Sequence, residues 1–485
     1  MTAAQETELK LQLTEDAAES LRVSGLLTGR PKTAMQRSVY FDTPGHDLAA
    51  ASLSLRIRRT GSKRIQTIKQ ADQAAVGVFS RPEWEIPVRG DTPVPDDRTP
   101  LADVLGEQAA QLAPVFAVAV TRRTWEVSHD GARIEVVIDQ GEISAADRRC
   151  PICECELELV SGSPQALFAL ARRISAAAPL SLGVLSKSER GYRLIGPLPQ
   201  AAKAEAIPLT GDLTAAEAFG RIVLSCQRQF RLNEDLLLAT RSPESLHQAR
   251  VALRRLRSAL AIFQPMLGDH GAALREELRW LAGELGDARD LDVLLVRSPD
   301  GALRDRLRTA RAKAYDRMTT ALLSGRTRGL MLDLAEWIAM GDWQSDPATA
   351  DARGMSAHNF AAKALSRFRR KVKAGGRNLA ALNDEARHDL RKDAKKLRYA
   401  ADFFEPLFQD DHRKAHKRFG AALSDFQDRM GALNDLAAAP LVLERLGLID
   451  MPQADRLTAT ADRDALMRAA QDAHDRLARA RKYWA

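Results

Sequence analysis

Cysteine is scarce in this chain of 485 residues, with four in all. Cys150, Cys153 and Cys155 fall within one stretch and Cys226 stands alone, a spacing that does not suit a secreted disulfide framework. A zinc site from the three is weakly supported, because "CECELEL" alternates as a strand does. No run of 18 apolar residues occurs, so no membrane span is expected. The N-terminus lacks a basic-then-apolar pattern, so no secretory leader is expected and the cytoplasm is favoured. Aromatics are also few, at 5%, which disfavours a surface that stacks nucleic-acid bases.

Charged residues are plentiful, at 28%, and leave a formal net charge of +8. The excess lies in the half from about Glu205 onward, and the part before it is neutral. A positive half predicts an anionic partner for that half. The length predicts more than one domain.

The two halves differ in texture. Before about residue 195, short alternating runs such as "SLSLRIRRT", "RIQTIKQ" and "RIEVVIDQGEI" read as strands, with "HDGA" as a hairpin turn. Then "GPLPQAAKAEAIPLTGD" has no period and reads as a linker. Beyond it, Ala-, Leu- and Arg-rich segments follow the helical period. The expected organisation is a strand-rich domain over 1–195, a linker over 196–206 and a helical domain over 207–485.

In the first half, period 2 sorts each strand into a charged and an apolar face. Glu6, Glu8 and Lys10 oppose Leu9, Leu11 and Leu13. Arg56 and Arg58 share a face, as do Thr67 and Lys69. Asp139 opposes Ile138, and Glu154, Glu156 and Glu158 oppose Cys155, Leu157 and Leu159. One such strand is ordinary, but many of them, mixing both signs, predict a barrel with a polar lumen. Buried charges must pair or meet a ligand. Carboxylates offer hard oxygen ligands for Mg²⁺ or Mn²⁺, and Arg and Lys suit phosphate oxygens. Metal plus phosphate accounts for both sets, with water as the attacking group.

The residues here resemble a known family. "ETELK", "YFDT", "LRIRR", "QTIK", "RPEWE", "TRRTW", "IDQGE", "CECELEL" and "LSKSERGY" follow in the order seen in the CYTH superfamily, the triphosphate tunnel metalloenzymes. The resemblance implies an α+β fold built on an eight-stranded antiparallel β tunnel with flanking helices. It implies Glu6, Glu8 and two of Glu154, Glu156 and Glu158 as metal ligands, with Asp139 supporting a second ion. Lys10, Arg56, Arg58, Lys69, Arg122 and Lys187 would clamp phosphates, with Arg190 a further contact. Glu83 or Glu85 would orient the attacking water, and Tyr40 reads as a packed aromatic.

The helical half repeats itself. "HQARVALRRLRSALAIFQPML" from His247 is echoed by "HDLRKDAKKLRYAADFFEPLF" from His388. Basic residues recur at +3, +7, +8 and +10: Arg250, Arg254, Arg255 and Arg257, then Arg391, Lys395, Lys396 and Arg398. Phe263 and Phe404 recur at +16. At about 100° per residue, positions 0, +3, +7 and +10 share one stripe and +8 flanks it. Such self-similarity predicts two related helical units, each presenting cations almost without acids. This half resembles the CHAD domain, a helical module of two related halves, which implies an all-α repeated bundle that binds inorganic polyphosphate on its basic face. His358, His412 and His416 are further histidines for that surface, and phosphate contact fits them better than metal.

Together these readings predict a metal-dependent enzyme that hydrolyses inorganic triphosphate to pyrophosphate and phosphate, with a polyphosphate-binding C-terminal domain and with polyphosphate granules as a possible location. The sequence leaves three alternatives open: an organic triphosphatase acting on thiamine triphosphate, a class IV adenylate cyclase, and a non-catalytic polyphosphate-binding protein. It leaves the oligomeric state undecided.

Overall fold

The structure, a computed structural model, describes residues 7–70, 78–79, 82–94, 99–197, 199–458 and 463–484, with the backbone alone at 78–79, 409–413 and 434–438. Glu6 and the His412 side chain lie outside these described residues. The chain divides into two compact units, residues 1–200 with 324–340, and residues 201–323 with 341–485.

The first unit is built on one antiparallel sheet of ten strands: β1 (Glu8–Leu13), β2 (Lys32–Asp42), β3 (Leu53–Thr60), β4 (Lys63–Gln70), β5 (Val78–Phe79), β6 (Glu83–Pro87), β7 (Ala113–His129), β8 (Ala132–Ala145), β9 (Arg148–Ser161) and β10 (Leu180–Leu182). Nine run in the order β10-β1-β9-β8-β7-β2-β3-β4-β6, and β5 pairs with β1 beside them. The ladder differs from the expected eight strands. The stretch before Pro87 is divided into β5 and β6, and Leu180–Leu182 adds a short strand with no charged face to reveal it. The nine-strand path does not close on itself.

The apolar face of the sheet is covered. Leu9, Leu11, Leu55 and Leu157 have no exposed surface. Helix α1 (Glu15–Val23) is capped by Thr14, whose hydroxyl accepts from the Ala17 amide, and buries Ala17, Ala18 and Leu21. Helix α2 (Gln165–Ala177) buries Leu167, Phe168, Leu170 and Ile174. The long β7–β8 hairpin turns at Asp130 and Gly131, whose φ values of 47° and 73° are those a two-residue primed turn requires.

Helix α3 (Lys187–Ile195) starts from a capping box in which Ser186 and Glu189 satisfy each other's backbone amides. It lies close against Phe116, and a Cβ on Gly191 would fall 2.1 Å from that ring.

The second unit is helical. Helices α4 (Ala215–Thr240), α5 (Pro243–Ile262), α6 (Ala272–Glu284), α7 (Gly286–Arg297) and α8 (Ala302–Leu322) are followed by α9 (Gly325–Met340). Then come α10 (Ala357–Gly375), α11 (Asp384–Phe404), α12 (Gln409–Arg445) and α13 (Arg463–Arg479). Helix α9 is grouped with the first unit, where it packs on α2 and β10. Arg172 Nη2 there lies 2.7 Å from Asp333 Oδ1 and also pairs with Glu336. Within the second unit α5 packs on α11, so the two repeat copies meet directly. The recurring aromatics Phe263 and Phe404 are both fully buried, with ring centroids 5.8 Å apart. Among the described residues no helix is long and apolar enough to cross a membrane.

Candidate active site

Strand register assembles the site. Across β2, β3, β4 and β6 the Cα partners run Tyr40, Arg56, Thr67, Glu85, and a neighbouring row runs Ser54, Lys69, Glu83. On the other side Lys10 pairs with Glu156, Glu8 with Glu158, Asp139 with Glu154, and Arg122 with Asp139. Alternation turns these side chains to one side, and all but Asp139 and Glu154 line a cavity of about 210 Å³ together with Ser186, Lys187 and Ser188 of the α3 terminus.

Six cations line the cavity: Lys10, Arg56, Arg58, Lys69, Arg122 and Lys187. Five carboxylates face them: Glu8, Glu83, Glu85, Glu156 and Glu158. Asp139 and Glu154 are 0% and 1% exposed and pair with Lys187 of the cavity wall. The structure therefore brings together every sequence-predicted catalytic residue, and the cavity also contains Ser54, Ser186 and Ser188, which sequence reasoning missed. The Ser-x-x-Glu capping pattern at Ser186 was the available signal for the α3 terminus.

Three of the acids converge. Ligand oxygens of Asp139, Glu154 and Glu156 lie within 4.8 Å of one another. Arg122 clamps Asp139 at two points, Nε to Oδ1 at 2.8 Å and Nη2 to Oδ2 at 2.6 Å, and reaches Glu156 at 3.0 Å. Lys10 Nζ lies 3.0 Å from Glu156 and 3.6 Å from Glu154. Lys187 Nζ pairs with Glu154 and lies 2.8 Å from Asp139 and 3.2 Å from Glu156. Burial favours the neutral carboxyl of Glu156, but Lys187, Lys10 and Arg122 outweigh it and hold the group well below the carboxylate range. Burial lowers the Lys187 ammonium, yet Glu154, Glu156 and Asp139 raise it above its ordinary value. Three hard oxygen donors at this spacing fit a divalent ion of the Mg²⁺ or Mn²⁺ type. Glu158 settles beside Glu8, outside this trio. Arg190 donates to the Pro151 carbonyl and lies 3.7 Å from Glu154.

At the opposite wall Lys69 pairs with Glu83 at 2.5 Å. Arg58 and Thr67 both donate to Oε1 of Glu85, at 3.1 and 3.0 Å. Arg56 keeps a buried Nε with no hydrogen-bond partner. An unsatisfied guanidinium donor beside a polar cavity fits an anionic ligand. Tyr40 is a packed aromatic, stacked on Phe116 with centroids 4.6 Å apart.

The helical unit carries the basic repeat on α5 and α11. His247, Arg250 and Arg254 are half-buried, and Arg257 is exposed. Burial, then Arg289 and Arg254, depress the His247 imidazole, so Arg289 of α7 belongs to this cluster. Sequence reasoning missed it, because "GDARDLD" mixes both signs. Arg254 Nε is buried without a hydrogen-bond partner. Arg255 is 9% exposed, with its guanidinium 5.2 Å over the Phe403 ring, so it serves the packing between the copies. On α11, His388 and Arg398 are exposed and Arg391, Lys395 and Lys396 half-buried. Lys396 pairs with Asp393 at 3.0 Å, and Arg398 donates to Ser424 at 3.1 Å.

This geometry defines a two-domain protein. Residues 4–192 match the CYTH domain and residues 221–444 the CHAD domain, so the chain carries a CYTH domain followed by a CHAD domain. Over 158 residues the chain is 33% identical to an inorganic triphosphatase of Haemophilus influenzae, covering 32% of this chain and 45% of that protein. The chain thus spans less than half the length of that relative. It is 28% identical over 411 residues to an uncharacterized protein of Mycobacterium tuberculosis, covering 75% of each. The crystal structure of the CHAD domain from the plant Ricinus communis is 28% identical, covers 56% of this chain and 96% of that one, and has a TM-score of 0.48.

Proposed function

We propose that the CYTH unit hydrolyses inorganic triphosphate to pyrophosphate and phosphate with Mg²⁺ or Mn²⁺, and that the CHAD unit binds polyphosphate. The observation that carries the reading is the cavity wall. Of its sixteen lining residues eleven are ionisable Lys, Arg or Glu, and the one aromatic, Tyr40, is already stacked on Phe116. Among the described residues such a wall offers phosphate contacts throughout and no apolar surface for a nucleobase or a thiamine ring. The similarity to an inorganic triphosphatase points the same way.

In this reading these strands build the tunnel, with β5 held on β1, β6 held on β4 and β10 as an addition. Arg56, Arg58, Lys69 and Arg122 neutralise the phosphate oxygens, and the α3 N-terminus favours an anion there. Asp139, Glu154 and Glu156 would hold one divalent ion. Glu8 and Glu158, opposed across β1 and β9, would offer further ligands with Glu6. A bound divalent ion supplies charge neutralisation and polarises a phosphoryl oxygen. Glu85 orients the attacking water and accepts its proton, while Arg58 and Thr67 fix its carboxylate.

The test is phosphate release from tripolyphosphate, ATP and thiamine triphosphate with and without each metal. Tripolyphosphate should be turned over fastest and only with metal. Much faster turnover of ATP or thiamine triphosphate would replace the substrate assignment.

A further inference from the structure

The Lys187 ammonium occupies the middle of the carboxylate trio, in contact with Asp139, Glu154 and Glu156 at once. We propose that Lys187 is a placeholder for the divalent ion: it leaves the trio when the ion enters and moves onto the triphosphate, so that ion and triphosphate are taken up together. This rests on the metal-dependent reading above.

Spacing supports an exchange. Oxygens of the three carboxylates all lie within 4.8 Å of one another, and the Lys187 ammonium already contacts all three residues. A divalent ion would draw on the same oxygens at about 2.1 Å, so ammonium and ion compete for one position. Charge supports it too. Three carboxylates are already met by Lys10, Arg122, Lys187 and Arg190, and a divalent ion added to that cluster would bury uncompensated charge. Loss of Lys187 from the trio offsets half of the incoming charge.

The surroundings select which cation leaves. Arg122 is clamped to Asp139 by two hydrogen bonds and would lose both. The Lys10 stem is enclosed, since a Cβ on Gly183 would fall 2.7 Å from its Cγ. Lys187 is the first residue of α3, whose backbone is fixed by the capping box, while its flexible stem opens onto the cavity. It can therefore move by side-chain rotation alone, toward the place where a phosphate would sit.

The test is Mn²⁺ binding to the full chain, followed by the spin-resonance signal of free Mn²⁺, with and without imidotriphosphate as a triphosphate that resists hydrolysis. In the wild type the analogue should tighten Mn²⁺ binding by about tenfold or more. In Lys187→Gln, Mn²⁺ alone should bind about tenfold tighter than in the wild type, and the gain from the analogue should shrink. Lys10→Gln removes a charge from the same cluster but not from its middle, and should gain less. An unchanged Mn²⁺ affinity in Lys187→Gln, or an equal gain in Lys10→Gln, overturns the proposal. If Lys187→Gln does not fold, the wild-type coupling decides, and its absence overturns the proposal. Phosphate release separates the two readings. Hydrolysis by the wild type with no gain in Lys187→Gln overturns the placeholder alone. Coupled binding without hydrolysis supports the placeholder and overturns the hydrolytic activity.

Discussion

Thr67 has no exposed surface and donates its hydroxyl to Oε1 of Glu85, 3.0 Å away, the same oxygen that Arg58 reaches at 3.1 Å. A carboxylate held by two donors on one oxygen has its other oxygen aimed. Glu85→Gln keeps the shape and removes the basicity, so kcat for tripolyphosphate should fall by about 10²-fold with KM little changed. Thr67→Val leaves the carboxylate but loosens it, and should cost less, about tenfold, again in kcat. Steady-state kinetics of the two variants check this. Full kcat in Glu85→Gln would move the water-orienting role to Glu83, which pairs with Lys69.

Phe263 and Phe404 close the two repeat copies of the helical unit against each other, and Phe263 also stacks on Phe360 at 4.6 Å. Phe404→Ala should open a cavity at the junction of the copies and cost about 3–5 kcal/mol. Urea unfolding followed by helical circular dichroism should show an earlier transition. A midpoint equal to that of the wild type would mean that the contact between the copies does not hold the unit together.

A pH effect is expected from Glu234, which burial pushes up to about 7 despite its pairing with Arg231. Arg231 is itself raised, through Glu234 and Asp235 against burial, as if its partner were ionised. Asp235, 2.9 Å from Arg231, reconciles the two, because it keeps the guanidinium paired when Glu234 is protonated. A carboxyl with a raised folded-state pKa contributes stability below the unfolded value, and that stability is lost as pH rises toward 7. Glu234→Gln should therefore gain on the wild type between pH 5 and pH 8, by about 3 kcal/mol at most. Thermal melts at the two pH values check it, and a difference that does not grow with pH refutes the buried-acid assignment.

Much of the site could be read from alternation alone. Period 2 identified the charged faces of β1, β3, β4 and β9, because a strand residue has only two faces available. Which face met which required register, and register is a long-range property. Nothing local in "RIQTIKQ" says that Thr67 will stand between Arg56 and Glu85. The acidic trio is similar. The Glu154, Glu156, Glu158 triplet is uniform in sequence, and pairing with Asp139 and Lys10 is what separates Glu154 and Glu156 from Glu158. In the helices, the +8 position defeated the reading. Arg255 and Arg254 are alike in sequence, and the location of Phe403 decides which of them is buried. The order of the CYTH and CHAD domains was fully legible, because it is carried by many short motifs whose order does not depend on register.

The basic repeat yields the last prediction. The full chain, with divalent metal chelated, should bind long-chain polyphosphate, and affinity should fall steeply with salt because each phosphate contact releases counterions. Changing Arg250, Arg254, Arg257, Arg391, Lys395 and Arg398 to Gln should remove most of that affinity and flatten the salt slope, by a little under one per lost contact on the nucleic-acid scale. Arg289→Gln should weaken binding further, since its charge is felt at His247 and Arg250. Arg255→Gln should act differently. Its guanidinium lies over Phe403, so its loss should lower the melting temperature and leave the salt slope of the folded protein nearly unchanged. Tripolyphosphate hydrolysis should survive all six stripe changes, because among the described residues those lining the CYTH cavity fall between Glu8 and Ser188. Undiminished polyphosphate binding in the six-residue variant would show that the stripes on α5 and α11 are not the anion surface. A lost salt slope in Arg255→Gln would return that residue to the surface.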